Sequence, residues 1–439
     1  MKFEDFGLLE PIMKAIIESG YTVPTPIQES AIPVILSGKD ILGCARTGTG
    51  KTAAFALPII NRLLSDKETD KEVKIRVLIM TPTRELAIQI RDNFREFSKH
   101  TTLKCSVIFG GVNQQSQINV LKKGVDILVA TPGRLLDLIN QKYVKLGSVK
   151  YLVLDEADTM LDMGFLHDVK KIMNLVPTPR QTLLFSATFE PSIEELAATF
   201  MNKPEIIKVT PTSSTIDAIE QSLYYVDKNN KSNLLIDILK KEQIKSSLIF
   251  TRTKHGANKL GETLNKAGIL CGIIHGNKSQ GARVKALKDF KEGTTKVLIA
   301  TDIAARGIDI QELSHVFNYE MPEKPETYVH RIGRTGRANS SGKAISFANY
   351  DEKVMVKDIE SLIKMHIPVI ENKDYPMVNL VLSPKKQDSR GKKNTTAKPF
   401  NNRKSSGSYV PSKFASTRKS NANYGGNSFH RGHQSNRGK

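Results

Sequence analysis

Asp40-Ile41-Leu42-Gly43-Cys44-Ala45-Arg46-Thr47-Gly48-Thr49-Gly50-Lys51-Thr52-Ala53-Ala54-Phe55-Ala56-Leu57 sets a short apolar run before a glycine-rich turn and a helix-forming run after it. A strand, a glycine-rich loop and a helix in that order make a phosphate cradle. The glycines turn backbone amides toward an anion, and the helix presents the positive end of its dipole. Lys51 reaches the β- and γ-phosphates, and Thr52 meets Mg²⁺. The cradle residues are Thr47, Gly48, Thr49, Gly50, Lys51 and Thr52. One position departs from the usual pattern, which begins with Gly six residues before the lysine; here that place is Ala45.

Beyond this stretch the chain repeats one arrangement, in which an apolar, β-branched run ends in a polar or glycine-rich turn and an amphipathic helix follows. The runs lie at 76–80, 106–109, 126–130, 151–154, 182–185 and 206–209, with helical spacing at 8–19, 86–97 and 193–200. Strands that are apolar throughout and alternate with helices predict a mainly parallel sheet covered on both faces. The proline-rich segment 21–28 reads as a turn and a helix start, and the charged segment 66–74 as an exposed loop. A stretch poor in large apolar residues, within 210–220, marks a linker. The pattern then begins again, with strands at 223–226, 247–250, 272–274, 296–300, 315–318 and 344–347. Helices are expected at 234–241, 256–267, 280–291 and 325–332, with a last one at 353–366. Two similar α/β domains joined by a hinge are expected, 1–209 and 221–370.

The 439 residues are 39% hydrophobic, enough for two full-sized cores, and no apolar run approaches the ~18 residues of a membrane helix. The first five residues lack both the basic start and the apolar core of a secretion signal. The three cysteines, Cys44, Cys105 and Cys271, stand far apart without metal-ligand spacing, which fits a reducing cytoplasm and argues against a disulfide framework or a zinc site. The net charge of +20 is uneven. Residues 383–439 hold fourteen Lys or Arg against one acid, Asp388, a net of +13, which leaves +7 for the rest. The tail, 371–439, is expected to be disordered from about 383, because Ser, Asn, Gly, Lys and Arg cannot bury enough apolar surface to offset the entropy of ordering. Its isolated Phe400, Tyr409, Phe414, Tyr424 and Phe429 among basic residues suit loose contact with single-stranded nucleic acid. An anionic membrane surface is the competing partner, but the tail lacks the amphipathic face that would favour it.

Chemistry-bearing residues fall where strands of a parallel sheet end, which is where such sheets bind ligands. The run Tyr151-Leu152-Val153-Leu154 leads straight into Asp155-Glu156-Ala157-Asp158. Asp155 is placed to hold the hydrated Mg²⁺ that bridges the phosphates, and Glu156 to align and deprotonate the attacking water. In the second half, His330-Arg331-Ile332-Gly333-Arg334-Thr335-Gly336-Arg337 concentrates guanidinium groups. On its residues alone this cluster admits two readings, stabilisation of charge on a γ-phosphate or a basic helix end on a nucleic-acid backbone.

Together these motifs resemble the DEAD-box family of ATP-dependent RNA helicases, nearest to its bacterial RhlE-like branch. The resemblance spans residues 3 to about 365. It rests on Gly20-Tyr21, Pro24-Thr25-Pro26-Ile27-Gln28, the phosphate loop, Pro82-Thr83-Arg84-Glu85-Leu86-Ala87, Gly110-Gly111, Thr131-Pro132-Gly133-Arg134, Asp155 to Asp158, Ser186-Ala187-Thr188, the 302–309 segment and the arginine cluster, in the family's order. Family members begin the loop with Ala, which accounts for Ala45. The resemblance implies two tandem RecA-like domains and roles that spacing does not give. Tyr21 would stack on adenine, Gln28 would read its edge and select ATP, and Asp309 would contact the ribose. Arg334 and Arg337 would act as paired arginine fingers, while Ser186, Thr188 and His330 would couple nucleotide state to RNA. Thr83, Arg84, Gly111, Thr131, Gly133 and Arg134 would line the RNA path in the first domain, with Arg252, Gln280, Arg283 and Thr301 in the second. Thr52 and Asp155 would hold Mg²⁺ largely through water.

The function implied is an RNA-dependent ATPase that binds single-stranded RNA between its domains and unwinds short duplexes or remodels RNA–protein complexes. ATP and Mg²⁺ are the expected cofactors. RNA bound largely without regard to sequence, assisted by the tail, is the expected partner. Ribosomal precursors or the RNA-degradation machinery are the expected settings, in a cytoplasmic monomer.

Overall fold

The computed structural model describes residues 1–45, 48–66, 73–209, 219–242, 244–308, 310, 313–336 and 342–381. Among these, the chain forms a seven-stranded sheet and then a six-stranded one, both parallel throughout. The first contains β1 (Ile41–Cys44), β2 (Val77–Met80), β3 (Cys105–Ile108), β4 (Ile127–Ala130), β5 (Tyr151–Leu154), β6 (Gln181–Ser186) and β7 (Glu205–Lys208), in the order β3-β4-β2-β5-β6-β1-β7. The second contains β8 (Ile219–Tyr225), β9 (Ser247–Thr251), β10 (Cys271–Ile274), β11 (Val297–Thr301), β12 (His315–Asn318) and β13 (Gly342–Ala348), in the order β10-β11-β9-β12-β13-β8.

Both faces of each sheet are apolar because side chains alternate across a strand. In β2, Val77 and Ile79 pack with Phe55 and Phe94 on one face, whereas Leu78 and Met80 pack with Leu135 and Met160 on the other. Each such side chain, fully withdrawn from water, contributes about 1.5–3 kcal/mol. Helices supply the covering layers. In the first domain these are α1 (Glu10–Glu18), α2 (Pro26–Leu36), α3 (Lys51–Ser65), α4 (Arg84–Phe97), α5 (Gln114–Lys122), α6 (Pro132–Asn140), α7 (Ala157–Asp162), α8 (Leu166–Leu175) and α9 (Pro191–Phe200). In the second they are α10 (Lys231–Lys241), α11 (Lys254–Lys266), α12 (Gln280–Lys291), α13 (Asp302–Ala305), α14 (Pro325–Ile332) and α15 (Lys353–Ile363). Pro26, Pro132, Pro191 and Pro325 each open a helix, where a missing N–H costs nothing.

Two boundaries differ from expectation. β8 starts at Ile219, inside the stretch read as a linker, because its backbone pairs along the whole length of β13; residues 210–218 lie outside the described residues. Residues 371–381, assigned to the tail on composition, are bonded to the second domain. Leu223 on the sheet edge donates to Pro368 O and accepts from Ile370 N. Tyr375 Oη donates to Asp237 at 2.9 Å, and the Asp227 carboxylate accepts from Val378 N and Asn379 N. Local composition gives no weight to such distant partners. The expected disorder of 383–439 and most of the 66–74 loop fall outside the described residues. The 21–28 segment leads into a full helix, α2, despite Pro33 inside it.

Candidate active site and nucleic-acid interface

The phosphate cradle hangs between β1 and α3. Gly48 and Gly50 have φ of +84° and +92°, values that only glycine adopts cheaply, so the loop amides can turn to one side. Lys51, 6% exposed, opens α3 and donates to Ala45 O at 2.9 Å. Its ammonium also lies 3.9 Å from Asp155 Oδ1 at the end of β5. Asp155 is buried, and burial pushes its carboxyl up to about 6 against the opposing pull of Lys51. The next residue, Glu156, has φ +54°, a left-handed backbone that a non-glycine residue holds only under constraint. Its backbone N–H donates to Asp155 Oδ1 at 3.0 Å, which fixes the Asp155 carboxylate against the start of the turn. Thr49 and Thr52 complete the loop and the first turn of α3; Thr47 lies outside the described residues.

The Gln28 amide joins two pieces of this site. Its Oε1 accepts from Thr25 N at 2.9 Å, and its Nε2 donates to Gly50 O at 3.1 Å. A side-chain amide has two donors and two acceptor lone pairs, so these two bonds use one of each. Tyr21 is held edge-on by Phe3 and Phe97, with centroids 6.3 and 5.7 Å away. Asp309 and Arg337 lie outside the described residues. Arg334 follows α14 and donates to Ile308 O at 3.1 Å.

Asp158, which sequence reasoning left without a role, anchors the Ser186-Ala187-Thr188 segment. Its Oδ2 accepts from Ala187 N at 3.0 Å and Thr188 Oγ1 at 3.4 Å. Asp158, Thr188, Asp162, Arg306, Lys324 and His330 share a cavity of about 310 Å³ between the two domains. Asp162 is paired there with Arg306 at 3.1 Å and Lys324 at 3.2 Å. Burial lowers the His330 pKa below its ordinary value, while Asp158 pulls it back up.

A second cavity, about 460 Å³, also opens between the domains. It brings together Thr83, Arg84, Thr131, Gly133, Arg134 and Arg283. Glu85 bridges its two sides, accepting from Gln280 Nε2 at 3.0 Å and Arg283 Nη2 at 2.8 Å. Gly307 of the second domain sits against Thr83 and Leu86 of the first; a Cβ on it would fall 2.2 Å from Thr83 Oγ1. Three buried polar atoms in this region have no partner among the described residues, Arg134 Nη1, Arg283 Nε and Gln280 Oε1. Unsatisfied buried groups are costly and uncommon in native proteins, so three of them in one region call for an explanation.

Gly111, Arg252 and Thr301 do not line that cavity. Gly111, at φ +77°, is instead packed on Arg84, whose guanidinium would lie 2.2 Å from an added Cβ. Arg252 turns toward Glu352 and Met321 O. Thr301 ends β11 and is the N-cap of α13. Sequence reasoning gave no role to Glu85, Asp158, Asp162 or Glu352. The first two stand inside motifs already singled out, while their partners are remote in sequence.

Two family models match the chain, DEAD/DEAH box helicase over residues 25–196 and the helicase conserved C-terminal domain over 230–339. The DEAD-box ATP-dependent RNA helicase CshA of Bacillus subtilis is 43% identical over 362 residues, 82% of this chain and 72% of that protein. The chain belongs to the DEAD-box family. The DEAD-box relatives also include the RNA helicase CrhR of Synechocystis, 45% identical over 368 residues, 84% of this chain and 74% of CrhR. Among solved structures, S. cerevisiae Dbp5 bound to RNA and ADP BeF3 superposes with a TM-score of 0.75 at 32% identity, covering 85% of this chain and 96% of the other. The DEAD-box chain described here is an ATP-binding, RNA-binding, RNA-dependent ATPase with two RecA-like domains, and it unwinds RNA at the expense of ATP.

Proposed function

We propose that the cleft between the two sheets holds a bent single strand of RNA while the phosphate loop holds ATP, and that the two are coupled by domain closure. The observation that carries this reading is the set of unpartnered buried atoms, Arg134 Nη1, Arg283 Nε and Gln280 Oε1, gathered from both domains. Two are donors suited to phosphate oxygens and one is an acceptor suited to a 2′-hydroxyl. Contacts of that kind carry no base information, so binding is largely independent of sequence. Closure excludes a regular duplex from the bent path and displaces one strand locally. A clamp that grips RNA without useful unwinding would use the same residues; strand displacement on a short duplex with ATP separates the two.

At the nucleotide, Glu156 is the base that aligns water, Lys51 meets the β- and γ-phosphates, and Arg334 with Arg337 completes the site from the second domain. Tyr21, Gln28 and Asp309 select adenosine. The oxygen donors of Thr52 and Asp155 suit a hard divalent ion, and Mg²⁺ held there, largely through water, would neutralise phosphate charge. Ser186, Thr188 and His330 relay closure between the two sites. Thr83, Arg84, Gly111, Thr131, Gly133, Arg252 and Thr301 complete the RNA path.

The proposed domain limits are 1–209 and 221–370, the second extended back to 219, where β8 begins, and on to 381. Among the described residues no helix is long and apolar enough to cross a membrane. A cytoplasmic monomer acting on ribosomal precursors or with the RNA-degradation machinery, of the RhlE-like branch and with a tail that assists RNA capture, is the setting we infer from composition and motif pattern. The deciding experiment replaces Arg134 with Ala. RNA-stimulated ATPase should need about tenfold more RNA, with ATP binding unchanged; an unchanged RNA requirement would sink the cleft assignment.

A further inference from the structure

Glu352 lies in a 3-10 turn, Tyr350–Glu352, just before α15, and is 5% exposed. Four donors converge on it from separate parts of the second domain. Oε2 accepts from Lys231 Nζ at 2.5 Å and Asn349 N at 3.1 Å. Oε1 accepts from Met321 N at 3.2 Å and Arg252 Nη2 at 3.3 Å. Lys231, 2% exposed, further donates to Tyr319 O at 3.1 Å and Phe347 O at 2.9 Å. Only an acceptor-only group satisfies four donors at once, and only a nearby cation lets it stay charged when buried.

Among those donors Arg252 alone reaches toward solvent, with its side chain 36% exposed. It directly follows β9, in the middle of the second sheet, at the carboxyl end where parallel sheets bind ligands. Its Nη2 is held by Glu352 and by Met321 O at 3.0 Å, and its backbone N donates to Glu320 Oε2 at 2.6 Å. Nη1 keeps two further donors, enough for a phosphate oxygen.

We propose that Glu352 is a positioning residue for RNA, fixing the Arg252 guanidinium at the mouth of the second sheet while Lys231 balances its charge. This rests on the reading that Arg252 meets the RNA backbone. Replacing Glu352 with Gln turns one acceptor into a donor. The remaining oxygen stays with Lys231, the stronger partner, and the new NH₂ faces the Arg252 and Met321 donors, so Arg252 is released.

The test measures binding of a uridine 20-mer to the full chain at several salt concentrations, for Glu352→Gln, Arg252→Ala and the double variant, alongside Tm. A charge-balanced pair, Lys231→Met with Glu352→Leu, removes the anchor without stranding a buried cation, in case Glu352→Gln folds poorly. The expected result is about tenfold weaker binding for Glu352→Gln, a salt slope shallower by about 0.7, and a double variant no weaker than Arg252→Ala alone. A lowered Tm with wild-type affinity and slope would make Glu352 merely structural and overturn the proposal, as would additive effects in the double variant. Wild-type binding by Arg252→Ala would remove the reading of Arg252 itself, and the proposal with it.

Discussion

Glu85 of the first domain and Arg283 of the second form an ion pair at 2.8 Å in which each side chain is 8% exposed. Such a pair lies across the opening of the cleft, so it exists only when the domains are together. Hydrogen bonds to charged groups contribute about 1.5–3 kcal/mol, and a buried charge left alone costs at least as much. Glu85→Ala is therefore expected to disfavour closure about tenfold or more. RNA-stimulated ATPase and strand displacement should fall together, while ATP binding to the first domain is retained. Equal activity of variant and parent in a strand-displacement assay would remove Glu85 from the closing contacts.

Glu156 sits on a constrained backbone beside Asp155, whose carboxyl is pushed up to about 6 by burial. Glu156→Gln keeps the shape and removes the base. Turnover should drop by about 10²- to 10⁴-fold with ATP and RNA binding intact. A variant that turns over at the parent rate would mean that another group activates the water.

The second domain should be acid-sensitive through His275, which is 2% exposed. Its Nδ1 accepts from Asn277 N at 3.2 Å, so the ring proton is on Nε2, directed at Asn258 Oδ1 3.0 Å away. A second proton on Nδ1 would oppose the Asn277 amide. Burial lowers its pKa first, helped by Lys278, Arg283, Lys254 and His255. The folded value lies below the unfolded one, so the unfolded chain binds the extra proton more readily. This stability is fully present above about 6.5 and is lost as pH falls toward the depressed folded value, at up to about 1.4 kcal/mol per pH unit in that window. Tm recorded at pH 7.5 and 5.5 should show the loss, and His275→Gln should reduce it; an equal loss in both proteins would place the sensitivity elsewhere.

Residues 383–439 carry +13 of the +20 net charge. Their removal should weaken RNA affinity and flatten its dependence on salt by about 0.7 for each phosphate the tail had neutralised, with basal ATPase spared. Titrations at 50 and 200 mM salt decide this. An unchanged slope would assign all phosphate binding to the two domains.

The parallel architecture was legible because buried strands such as 77–80 and 127–130 are apolar on both faces, and because loop chemistry follows each one. Helices α5 to α8 were not among those expected, although the Asn113 cap and Pro132 at a first helical turn mark two of their starts. At the site, residues contiguous in sequence were visible, Lys51 and Asp155 among them. What stayed hidden were acids whose meaning lies in a remote partner. Glu85 acquires its role from Arg283, Asp158 from Ala187, Asp162 from Arg306 and Glu352 from Lys231, and no local pattern encodes those distances.

The contact of Gly307 with Thr83 and Leu86 differs in kind from the ion pairs around it. It joins a bare backbone to a hydroxyl and a methylene, none of them charged. Salt that loosens the partly exposed pairs of Asp162 leaves this contact untouched. The contact between the two domains is thus held partly by charge, which the ionic medium adjusts, and partly by fit, which only the chain itself can alter. A motor assembled this way can be slowed or hastened by its surroundings without losing the register in which its halves meet.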